Sequence, residues 1–132
     1  MIRRVAINDL TAVVVDLCFK IHNKIGAGCY EKVYEEILSY ELNKQGYHVE
    51  RQLLLPIHYE DLFIPDAYKL DMLVEGRLIL ELKSIFPLPP VFFNQVKTHL
   101  SFLNLKHGML PNFKVPRMKD GIFRIFYNSG LE

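Results

Sequence analysis

The sequence predicts an α/β domain in which helices pack on a sheet. Three observations carry that reading. Residues 68–84 alternate apolar and charged side chains with a period of two, as half-buried strands do. Residues 10–25 and 30–42 each repeat apolar side chains at helical spacing. A chain of 132 residues, 50% of them hydrophobic, is long enough to bury one layered core. With no low-complexity stretch, internal repeat or linker, residues 1–132 read as a single domain.

Charge and targeting signals narrow the function classes. Sixteen Lys and Arg stand against fifteen Asp and Glu, a formal charge of +1, so any nucleic-acid contact must rest on a local patch. Met1-Ile2-Arg3-Arg4 leads into a short apolar run broken by Asp16, unlike a signal peptide. No stretch approaches the roughly 20 apolar residues of a membrane span, and the expected location is the cytoplasm, with no membrane partner. Cys18 and Cys29 lack metal-ligand spacing and read as two reduced, packed thiols.

The first helix is expected to begin at Asn8 or Asp9 as N-cap. Leu10, Val13, Val14, Leu17, Ile21 and Ile25 form its apolar stripe, Gly26 closes it, and His22 falls on the flank as a surface histidine. A second helix follows Gly28, with Tyr30, Val33, Tyr34, Ile37, Leu38 and Leu42 as its buried stripe and Gly46 at its end. Glu31 and Glu35 lie four apart on one side of it, where first-turn acids ordinarily do no more than favour the helix dipole. Val49 to Tyr59 reads as one bent edge strand, because Pro56 cannot donate to a central ladder. Glu60-Asp61 makes a turn, and Asp66 is expected to serve a loop rather than a site.

The parity of the next segment fixes a register. Leu70, Met72, Val74, Leu78, Leu80 and Leu82 occupy even positions, while Lys69, Asp71, Glu75, Arg77, Glu81 and Lys83 occupy odd ones. A two-residue loop would pair even with odd and bury charges on one strand; an odd loop pairs even with even and gathers the six apolar residues on one face. A three-residue connection with Gly76 at a left-handed bulge position is therefore predicted. Asp71, Glu81 and Lys83 then emerge together. They read either as a solvated face of cross-strand ion pairs or as a hydrolytic site in which two carboxylates hold a hard cation beside a lysine.

Pro87, Pro89 and Pro90 break the chain and start a third helix, whose core stripe is Phe92, Phe93, Val96, Leu100 and Leu103. Gln95 and His99 share one side of it. Residues 108–127 supply two more strands, the first short or at an edge because of Pro111, the second, Gly121 to Tyr127, paired with an edge. Lys106, His107, Lys114, Arg117, Lys119 and Arg124 concentrate positive charge here, either as a solvated rim or as a phosphate-contacting surface. Phe113 and Phe123, interleaved with them, suit stacking or core.

These segments carry a resemblance. Gly28-Cys29-Tyr30-Glu31-Lys32-Val33-Tyr34 resembles the signature of the bacterial GxxExxY family, placed in the PD-(D/E)XK nuclease superfamily. The likeness continues through Glu35-Glu36, Glu50-Arg51-Gln52, Asp71 with Glu81-x-Lys83, Gln95, and Val115 to Gly121. It implies a restriction-endonuclease-like core, a mixed central sheet of about four strands flanked by helices. It also implies Asp71, Glu81 and Glu31 as metal ligands, Lys83 as catalytic lysine, and Gln95 as the residue that positions water or substrate. His99, where the related pattern has tyrosine, is a departure that either alters substrate contact or is neutral on the surface; with Arg117 and Lys119 it completes the expected substrate-binding set.

The function expected is phosphodiester hydrolysis of DNA or RNA with Mg²⁺, or Mn²⁺ in its place, by metal-activated water. The alternative is a module that keeps the fold and binds nucleic acid or protein without cutting. A homodimer or a protein partner is compatible with either.

Overall fold

The computed structural model describes residues 5–128. The elements run α1 (Ile7–Ile25), α2 (Glu31–Lys44), β1 (Val49–Tyr59), β2 (Leu62–Val74), β3 (Leu78–Leu80), α3 (Val91–Leu103), β4 (His107–Pro111), a 3₁₀ turn (Met118–Gly121) and β5 (Ile122–Phe126). The strands form one five-stranded sheet in sequence order. All pairs are antiparallel except β3 with β4, which is parallel and bridged by α3.

The parity argument holds at the β2–β3 connection. Met72 pairs with Leu80, Leu73 with Ile79 and Val74 with Leu78, even with even, across the three-residue loop Glu75-Gly76-Arg77. Gly76 is left-handed at φ 65°, and so is Glu75 at φ 54°. A non-glycine residue is held there because Glu75 grips His48: its N–H donates to the His48 carbonyl at 2.8 Å and its Oε2 accepts the His48 N–H at 2.5 Å.

Both faces of the sheet are covered. On one side Met72, Val74, Leu78, Leu80 and Leu82 pack with Leu10, Val14, Leu17 and Ile21 of α1 and Tyr34, Leu38 and Leu42 of α2. On the other, Leu70, Leu73 and Ile79 pack with Val96 and Leu100 of α3. One expectation is corrected here: Leu70 belongs to the α3 side rather than to the face of the other five. Of the two readings of the charged residues, the fully solvated face does not hold for Glu81, which is buried, or for Lys83, which lies against the Phe92 ring of α3.

Local differences have backbone causes. Helix α1 starts at Ile7 with Ala6 as N-cap, since Leu10 N–H already reaches the Ala6 carbonyl at 3.0 Å; Asn8 and Asp9 sit inside its first turn. Ile25, at the end of the predicted α1 stripe, is exposed. Tyr30 is the N-cap of α2 and 85% exposed, not part of the buried stripe, and Val33 is only partly covered at 39% exposed. His22 is half-buried, with Nε2 2.8 Å from the Val115 carbonyl oxygen, rather than a free surface group. Asp66 lies within β2, exposed, not in a loop. β1 is the bent edge strand expected, with its register shifting across Pro56. β4 is short but interior, between β3 and β5; Pro111 is tolerated because it ends the strand and offers only its carbonyl, to Lys83 N–H at 3.0 Å. No described helix is long and apolar enough to cross a membrane.

One buried tyrosine ties the helical layer together. Tyr34 stacks on Phe113 with centroids 4.1 Å apart, while its hydroxyl donates to the Gly26 carbonyl at 2.6 Å and accepts the Cys29 N–H at 3.2 Å. The α1–α2 loop is thereby fixed, and with it the start of α2. Tyr34→Phe should keep the ring stack but leave that amide and carbonyl unpaired, lowering unfolding free energy by about 1–2 kcal/mol in urea titrations; an unchanged midpoint would show that the hydroxyl anchors nothing.

Candidate active site

The candidate site forms where β3 ends. Beyond Leu80 the chain leaves β2 but keeps its parallel partner: Glu81 N–H donates to the Met109 carbonyl at 3.0 Å, and the Lys83 carbonyl accepts the Phe113 N–H at 2.9 Å. Glu81 and Lys83 are thus held against β4 and the residues that follow it. Their side chains meet, Lys83 Nζ lying 3.2 Å from Glu81 Oε2 and 3.8 Å from the Phe92 ring centroid of α3. Asp71, on β2, reaches across with Oδ2 to accept the Leu82 N–H at 2.9 Å. The three residues that parity brings out together converge on this strand exit.

Burial sets the electrostatics. Glu81 is 8% exposed, and its Oε1 is buried without a hydrogen-bond partner among the described residues. Its carboxyl is pushed up to about 7, first by burial and then by the charge of Asp71, with Lys83 pulling the other way. Asp71 is pushed up to about 6, again by burial, with the Leu82 amide opposing and the charge of Glu35 adding to it. Two poorly solvated carboxylates near one lysine leave one negative charge uncompensated when both are ionised.

Glu31 opens α2 and is exposed, on the rim of a cleft of about 460 Å³ whose wall includes Asp71 and Leu82. Its charge raises both buried carboxyls further. Among the described residues no group of three or more His, Cys, Asp and Glu side chains is gathered to hold a metal ion. The donors nevertheless fit a hard divalent cation: Mg²⁺ keeps several waters and needs only one or two protein carboxylates, and the unpartnered Glu81 oxygen is the kind of donor it takes.

The same cleft contains residues to which sequence reasoning gave no role. Glu35 is buried; its Oε1 accepts from Gln52 Nε2 at 2.6 Å and its Oε2 from Arg51 Nε at 3.0 Å. Arg51 also pairs with Glu36 at 2.8 Å. Gln52 sits at φ 51°, left-handed in the middle of β1, between the Arg51↔Met72 and Leu53↔Leu70 pairs and hence beside Asp71. Such strain in a non-glycine residue persists where surrounding bonds hold it, here the bond to Glu35. The spacing of Glu31 and Glu35 was visible in the sequence; that Glu35 is consumed by β1 was not, because it depends on a contact 16 residues away.

The remaining candidates are dispersed. Gln95 is exposed on the first turns of α3. His99 is 5% exposed, edge-on to Tyr68 at 5.2 Å, so the alternative of a neutral surface histidine is corrected; burial lowers its pKa, and its Nδ1 has no hydrogen-bond partner among the described residues. Arg117 and Lys119 are exposed around the 3₁₀ turn, Arg117 Nε lying 3.4 Å from Asp120. The basic segment is not one patch: Arg124 and His107 border a separate hollow beside α1, where Arg124 donates to Thr11 Oγ1 at 3.1 Å. Phe113 is core.

A family model described as the PD-(D/E)XK nuclease superfamily matches residues 8–125. No curated protein and no solved structure matches.

The buried carboxyls have a measurable consequence. An acid whose folded pKa lies above its unfolded value holds its proton more tightly when folded, so its ionisation weakens the fold. Asp71 and Glu81 should therefore make the metal-free protein less stable as pH rises from about 4 to about 7, by on the order of 2–3 kcal/mol each. Asp71→Asn keeps an acceptor for the Leu82 amide and removes one of the two charges. Its urea midpoint should exceed that of the wild type at pH 8 and converge with it below pH 4; equal midpoints at pH 8 would contradict the assignment.

Proposed function

Because the chain belongs to the PD-(D/E)XK nuclease superfamily, we propose that it hydrolyses phosphodiester bonds of DNA or RNA at the exit of β3. The observation that carries the reading is the juxtaposition of Asp71, Glu81 and Lys83, with a buried Glu81 oxygen left without a partner. Gly28, Glu31 and Tyr34 support placement in the GxxExxY branch, and the geometry gives that spacing a physical sense. Tyr34 locks the loop holding Gly28, which fixes where Glu31 begins α2.

Asp71 and Glu81 would hold a divalent cation, Mg²⁺ or Mn²⁺, with Glu31 completing its shell from the cleft rim. When bound, the ion supplies a Lewis acid that lowers the pKa of water and offsets charge developing on the phosphate. Lys83, restrained between Glu81 and the Phe92 ring, donates a hydrogen bond that orients the attacking water or a non-bridging phosphate oxygen. Water oxygen bonds to phosphorus as the bond to the departing sugar oxygen breaks; the water gives up a proton and the sugar oxygen takes one, leaving a phosphate monoester and a hydroxyl. Gln95 contributes from the open side of α3 by positioning water or substrate, and Arg117 and Lys119 by contacting phosphates farther along the strand.

Cleavage of labelled single-stranded and duplex DNA and RNA with Mg²⁺, Mn²⁺ or chelator tests the reading. Wild-type protein should cut only with metal. Lys83→Ala and Glu81→Gln, purified identically and folded by circular dichroism, should lose on the order of a hundredfold or more in rate. Full activity in both would remove the site. Salt-sensitive binding without any cutting would identify a non-catalytic nucleic-acid module instead.

A further inference from the structure

Three residues beyond Lys83 the chain holds a large apolar side chain out in water. Phe86 is 79% exposed. The segment before it is fastened: Ser84 Oγ donates to the Cys29 carbonyl at 2.9 Å, and the buried Asn112 clasps Ile85, accepting its N–H at 3.1 Å and donating to its carbonyl at 2.9 Å. Phe86 therefore projects from an anchored base. It forms one wall of an open apolar groove of about 590 Å³, with Ala27, Gly28, Lys114, Val115 and Pro116.

Gly28 adds a second observation. Its φ is outside the left-handed range, and a Cβ built on it meets nothing within 4 Å among the described residues. Neither backbone conformation nor packing against those residues calls for glycine there, whereas close approach by a ligand would. Charge is the third. Lys114 stands on the groove, and across Pro116 a neighbouring hollow carries Lys119 and Arg117, the latter paired with Asp120; among the described residues no acid lines either one. The carboxylate cleft beside Asp71, by contrast, is lined by Glu31, Glu35 and Glu36 as well.

An apolar slot with an aromatic wall and a cationic margin fits a flat ring flanked by phosphates. We propose that the groove between Phe86 and Gly28 receives an unpaired nucleobase of single-stranded nucleic acid, stacked on Phe86, with neighbouring phosphates against Lys114 and Lys119. Bases inside a duplex have both ring faces occupied and cannot enter it. The inference rests on the nuclease reading and adds its substrate class: strands with unpaired bases next to the cut.

The test measures binding, not cleavage. Labelled oligothymidine and a duplex of matched length are titrated in Ca²⁺ buffer against wild type, Phe86→Ala and Phe86→Trp. Wild type should prefer the single strand, and Phe86→Ala should weaken single-strand binding on the order of tenfold while barely changing duplex binding. The chain has no tryptophan, so Phe86→Trp introduces a sole indole; it should retain affinity, and its fluorescence should be quenched by the oligonucleotide. Equal binding by Phe86→Ala and wild type, no quenching, a preference for duplex, or no single-strand binding at all would each overturn the inference. Metal-dependent cleavage persisting alongside such a result would leave the nuclease reading standing; quenching without cleavage would do the reverse.

Discussion

Everything at the candidate site depends on the hydrogen bonding of three residues. Leu78–Leu80 pair antiparallel with β2 on one side and parallel with β4 on the other, fully buried on both faces. The parallel ladder then continues past the point where the antiparallel one stops, through Glu81 and Lys83 to Phe113. A gap opens between the two neighbours of the strand, and Asp71 spans it by accepting the Leu82 amide. The Asp71 carboxylate is held by the Leu82 amide and the Glu81 carboxylate by Lys83, while the ladder fixes the main chain that carries Glu81, so two acids are kept close in a poorly solvated place.

That arrangement costs stability in the metal-free protein, and the rest of the architecture is consistent with carrying the cost. The Tyr34 hydroxyl and the Ser84 hydroxyl both bond to the α1–α2 loop, the first at Gly26 and Cys29, the second at Cys29. Helix α2, which bears Glu31 and Glu35, is thereby joined to the segment that bears Lys83. On the far wall Glu35 is saturated by Arg51 and Gln52, which leaves Glu31 as the cleft acid of α2 without a recorded ion pair among the described residues. The groove around Pro116 carries Lys114 and Phe86, with Arg117 and Lys119 in the adjoining hollow. Residues 81–86 thus contribute to both the acidic cleft, through Leu82, and the groove, through Phe86.

Much of this was legible in the sequence because it follows from period and parity. Even-numbered apolar residues on both arms of residues 70–82 required an odd loop, and the pairing of Met72 with Leu80 obeys it. Strand β1 with its break at Pro56, helix α3 after three prolines, and β5 at an edge were likewise local statements. What escaped the sequence is non-local. Leu70 changes layers where Gln52 distorts β1, His99 is buried by Tyr68, and β4 lies inside the sheet although it ends in proline. Glu35 and Glu31 look equivalent at a spacing of four; only the fold shows that one is spent on Arg51 while the other borders the cleft. The resemblance implied about four strands; the five segments read from alternation and turn signals all join one sheet.

The central claim is that Asp71 and Glu81 form a site for a hard divalent cation. Calorimetric titration of Mn²⁺ into the protein at pH 6.5, repeated in buffers of different ionisation enthalpy, measures it directly. Both carboxyls are partly protonated at that pH and must lose their protons to bind metal. One ion should bind with release of protons, the release should shrink by pH 8.5, and Asp71→Asn should abolish or greatly weaken binding. Binding that releases no protons, or that survives Asp71→Asn and Glu81→Gln unchanged, would place the metal elsewhere and contradict the site.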